Sequence, residues 1–67
     1  MTQEKIRREI ANTLDDMQVV GEETREYMIG ALAALLWVQS DGDLLRPVAF
    51  QQACAAWDTM REGQGQR

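Results

Sequence analysis

Fourteen consecutive residues, Tyr27 to Ser40 (YMIGALAALLWVQS), carry no charge in a chain of 67. Rich in Leu and Ala and free of Pro, the stretch reads as helix. A helix that is apolar on most sides must be buried by several neighbours or shared with another molecule. It is too short to span a bilayer, which takes about 20 residues.

Sixty-seven residues allow a single domain, near the lower limit for a chain that folds alone. Small domains commonly add disulfides, a metal or oligomerisation to a limited core. Cys54 is the sole cysteine and histidine is absent, so neither an intrachain disulfide nor a usual zinc site is available. That leaves oligomerisation. The apolar fraction of 45% is that of a globular protein, and the net charge of −4 weighs against nucleic acid and anionic membranes as partners. The charged opening MTQEKIRREI has no signal-peptide pattern, so the expected setting is the reducing cytoplasm, with Cys54 an ordinary thiol.

The periodicity predicts an all-α fold of three helices over about 3–20, 22–40 and 44–62, followed by a disordered polar tail at 63–67. Thr2 is the expected cap of the first helix, and Ile6, Ile10, Leu14 and Met17 form a stripe about 80° wide. Gly21 ends that helix, either as its C-terminal glycine or as the cap of the next. On the second helix Tyr27, Met28, Ile29, Leu32, Leu35, Leu36 and Val38 sweep about 200° and are assigned to holding the other two helices. A narrow remaining face carries Gly30, Ala33, Ala34 and Trp37. Ser40-Asp41-Gly42-Asp43 is a turn, and Pro47 belongs in the first turn of the third helix. There, Phe50, Ala53, Cys54, Trp57 and Met60 are assigned to the core.

Short connections fold such helices into a small bundle whose successive members are antiparallel. The stripes do not balance, because the central helix offers more apolar surface than two neighbours cover. A homodimer through that helix is expected, with Gly30, Ala33, Ala34 and Trp37 as the oligomer interface, since small residues allow close approach and Trp favours interface cores.

Asp15, Asp16, Glu22, Glu23 and Glu26 place five acids within twelve residues, opposed locally by Arg25. The hairpin gathers them at one end, a candidate surface for a basic protein partner, partly neutralised by Arg61. Negative charge at the end of the first helix is itself unfavourable. Lys5, Arg7 and Arg8, with Gln51 and Gln52 as nominal base readers, support only a weak helix-turn-helix alternative, because Glu4 and Glu9 dilute the cluster. Asp41-Gly42-Asp43 lacks the further ligands of a calcium loop. No residue set suits catalysis, metal or cofactor binding. The expected function is that of a small acidic protein-binding module, an adaptor, regulator or inhibitor of the kind phage and plasmids often encode. The alternatives are a dimeric DNA-binding regulator and a structural subunit of a larger complex.

Overall fold

A computed structural model describes residues 2–65, with side chains through Glu62. Three helices account for nearly all of it, and the described residues contain no strand: α1 is Gln3–Val19, α2 is Arg25–Gln39 and α3 is Arg46–Gly65. A single 3₁₀ turn, Glu22–Thr24, precedes α2. The α3 helix therefore continues three residues past the expected end at Glu62, and positions 66 and 67 of the expected tail lie outside the described residues.

Each helix begins and ends for identifiable reasons. The Thr2 hydroxyl accepts the Lys5 amide at 3.2 Å, satisfying one of the donors a helix start leaves free. Gly21 caps the 3₁₀ turn with φ −80°, so it needs none of glycine's special backbone freedom. A Cβ there would instead run into the Glu23 carboxylate, which folds back over it. The end of α2 is a Schellman motif: the Gly42 amide donates to the Trp37 carbonyl at 3.1 Å and the Asp41 amide to Val38 at 2.9 Å. That motif holds Asp41 at φ 59° and Gly42 at φ 83°, both left-handed. The Ser40 hydroxyl donates to the Trp37 carbonyl at 2.8 Å and accepts the Leu44 amide at 2.9 Å. One side chain thus ties the end of α2 to the approach of α3. Pro47 follows Arg46 in the first turn of α3, where its missing N–H leaves no helical bond unmade.

Helix α2 is the middle element and packs against both others, most extensively against α3. The core is Met17 from α1, Met28, Ile29 and Leu32 from α2, and Ala53 and Trp57 from α3. Ile6 and Ala49 are buried beside it, and Ile10, Leu14, Ala33, Leu36 and Cys54 are partly buried against it. Alanines at 49 and 53 let α3 approach α2 closely, and Trp57, 2% exposed, fills the space at the other end.

Three assignments from the sequence are corrected. Tyr27 is 76% exposed and Val38 40%, so neither helps to hold a neighbouring helix. Phe50 is 51% exposed, and the inner face of α3 runs through Ala49 rather than through it. On α2 the apolar residues surround the axis, and periodicity could not say which would turn inward. The rotation is set by Met28, Ile29 and Leu32, which meet α1 and α3 together.

Candidate functional site

The rotation of α2 leaves an open groove between it and the first half of α3, with a volume of about 480 Å³. Its floor and one wall come from Gly30, Ala33, Ala34 and Trp37, the four residues singled out in the sequence as a narrow face. The other wall is Arg46, Pro47, Ala49 and Phe50. These four residues of α3 were not anticipated. A proline one turn before an exposed phenylalanine was the available signal, hidden because Phe50 was assigned to the core.

The groove owes its depth to what is missing. A Cβ placed on Gly30 would find nothing within 4 Å, so among the described residues no helix uses the close approach that Gly30 permits. Ala33 is partly buried against the core, and Ala34 is exposed. Trp37 is half-covered: the Arg46 guanidinium lies 5.4 Å from its ring centroid, within cation–π range. Among the described residues Arg46 has no ion-pair partner, and neither has Glu26, one turn before Gly30. Tyr27, Ala34 and Val38 extend the uncharged surface along the outer side of α2. Among the described residues no buried side-chain nitrogen or oxygen lacks a hydrogen bond.

The five acids lie where α1 ends and α2 begins, and their environments differ. Asp15, Asp16, Glu23 and Glu26 are exposed, with no ion pair among the described residues. Glu22 lies 3.5 Å from the Arg61 Nε. Arg61 does more than neutralise that acid. Its Nη1 donates to the Met17 carbonyl at 3.0 Å and to the Val20 carbonyl at 2.7 Å, and its guanidinium lies 4.7 Å from the Trp57 ring centroid. The last turn of α1 contains no basic residue of its own. Arg61 supplies the missing cation from α3 and takes up carbonyls that the helix end leaves free.

Of the basic residues, Arg8 lies 3.9 Å from Glu4 on the exposed side of α1, an i,i+4 pair. Gln51 and Gln52 are exposed on α3. No group of three or more Cys, Asp or Glu among the described residues could hold a metal ion. None of the described helices is long and apolar enough to cross a membrane.

Comparison of the chain with protein-family models, curated proteins and solved structures gave no match. Fold and site together define a compact all-helical, three-helix protein with one prominent apolar groove.

Proposed function

We propose that this protein is a non-enzymatic binding module, a small acidic adaptor, regulator or inhibitor that works in the cytoplasm by occupying a surface of another protein. The observation that carries this reading is the α2–α3 groove, where seven uncharged residues and Arg46 line a concave face that no part of the described chain fills. Exposed apolar patches of this kind, contiguous and rimmed by polar groups, mark association sites in small proteins. In this reading the groove serves self-association, giving a homodimer. The exposed acids Asp15, Asp16 and Glu23 then form a charged pole on each subunit that steers a basic protein partner.

Ala34→Glu tests the self-association. Position 34 is exposed and glutamate is a good helix former, so the fold should persist with unchanged helicity. The expected result is a wild-type chain of twice the monomer mass by sedimentation, with a melting temperature that rises with concentration, and a variant that sediments as a monomer. A wild type that stays monomeric at every concentration refutes it. For the pole, a double Asp15→Lys, Asp16→Lys variant should lose partner capture with its dimer intact, and unchanged capture refutes that assignment.

A further inference from the structure

The groove is asymmetric along its length, and the asymmetry specifies how a second copy would fit it. Gly30 lies at one end with open space where a side chain would be. Trp37 stands at the other end, seven residues and therefore about 10.5 Å further along α2. Charge is separated in the same sense. Glu26 lies just beyond Gly30, and Arg46 sits over Trp37. Between the two ends lie Ala33 and Ala34, small enough for two helices to cross closely.

Resting on the dimer reading above, we propose that two copies pair groove to groove, their α2 helices antiparallel about a two-fold axis near Ala33 and Ala34. A two-fold interface must be complementary to itself. In a parallel pairing like would meet like, with Trp37 against Trp37 and Glu26 against Glu26. The antiparallel pairing sets Trp37 of each copy into the space above Gly30 of the other. It also brings Arg46 of each copy to Glu26 of the other, giving both unpaired ions a partner. Asp41, an acid near Trp37, lines a smaller depression that shares Trp37 with the groove. The antiparallel pairing brings it level with Glu26 of the other copy and offsets part of that gain, whereas a parallel pairing would set Glu26, Asp41 and Arg46 each against its own kind. Shape and charge select the same orientation.

A charge swap read by sedimentation equilibrium on the full chain tests this geometry. Glu26→Arg and Arg46→Glu should each raise the dimer dissociation constant about tenfold, because each sets like charges against one another. The double variant should return to within about threefold of wild type, since the pair is rebuilt with its signs exchanged. Trp37→Ala should weaken the dimer about 30-fold. Circular dichroism confirms that each variant is folded; the substituted charges are exposed. A double variant no tighter than the weaker single overturns the antiparallel pairing while leaving dimerisation through the groove standing. A wild type that is monomeric throughout overturns both.

Discussion

Replacing part-buried Arg61 with Met should remove about 3 kcal/mol of stability. The substitution keeps an apolar stem to pack near Trp57 and deletes the guanidinium alone. Lost are two charge-assisted hydrogen bonds, to Met17 at 3.0 Å and Val20 at 2.7 Å, each worth about 1.5–3 kcal/mol when dry. The Arg61 side chain is 24% exposed, so water replaces part of both bonds in the variant. The Trp57 contact adds about 0.5–1 kcal/mol. The Glu22 pair adds less than about 0.5 kcal/mol, because that carboxylate is 69% exposed. The net expectation is about 3 kcal/mol, a large share of the roughly 5–15 kcal/mol that holds a domain together. At about 4–8 °C per kcal/mol for a chain this small, the melting temperature should fall by about 12–24 °C. Thermal and urea unfolding at one fixed protein concentration measure it. Glu22→Gln provides the control and should shift stability by less than about 0.5 kcal/mol. A loss for Arg61→Met no larger than that of the control would show that α1 needs no cation from α3.

Two further predictions concern the turn and the division of the aromatics. Asp41→Gly should stabilise by about 0.5 kcal/mol in chemical denaturation, since Asp41 sits at φ 59° where glycine has no penalty. Gly42→Ala should cost more than about 1 kcal/mol: φ is 83°, and the new Cβ would stand 3.6 Å from Trp37, so the cost lies in the backbone and not in a clash. Trp57→Ala should destabilise the fold by about 3–5 kcal/mol, whereas Phe50→Ala should change the stability of the monomer by less than about 1 kcal/mol. Equal losses at 50 and 57 would mean that the groove wall belongs to the core.

The elements were legible in the sequence because their signals are local. Thr2, Gly21 and Ser40-Asp41-Gly42 bracket the helices, and Ile6, Ile10, Leu14 and Met17 recur at helical spacing. Compensation of the acidic end by Arg61 was also legible, since an antiparallel bundle returns residue 61 to the end of α1. The rotation of α2 was not. When apolar residues encircle a helix, periodicity loses its phase, and Tyr27 and Val38 look as inward as Met28 and Ile29. The inner face of α3 was hidden for a different reason. Sequence reading favours large residues as core, while α2 and α3 are joined through Ala49 and Ala53, whose value lies in their small size. The α2 half of the groove, Gly30, Ala33, Ala34 and Trp37, was legible as a set because its small residues share one face. The α3 half was missed with the misassigned Phe50.

The Arg61 contacts have a kinetic consequence as well. They join residues 44 and 41 positions apart, while the turns between helices unite close neighbours. Closing a longer loop costs more chain entropy, so contacts of that reach, like the packing of Met17 with the Trp57 cluster, are expected to form after those across the turns. Late contacts are absent from the transition state, and their loss appears in the rate of escape from the native state rather than in the rate of reaching it. Arg61→Met should then leave the folding rate nearly unchanged and raise the unfolding rate, and a variant that folds slower while unfolding at the wild-type rate would refute this.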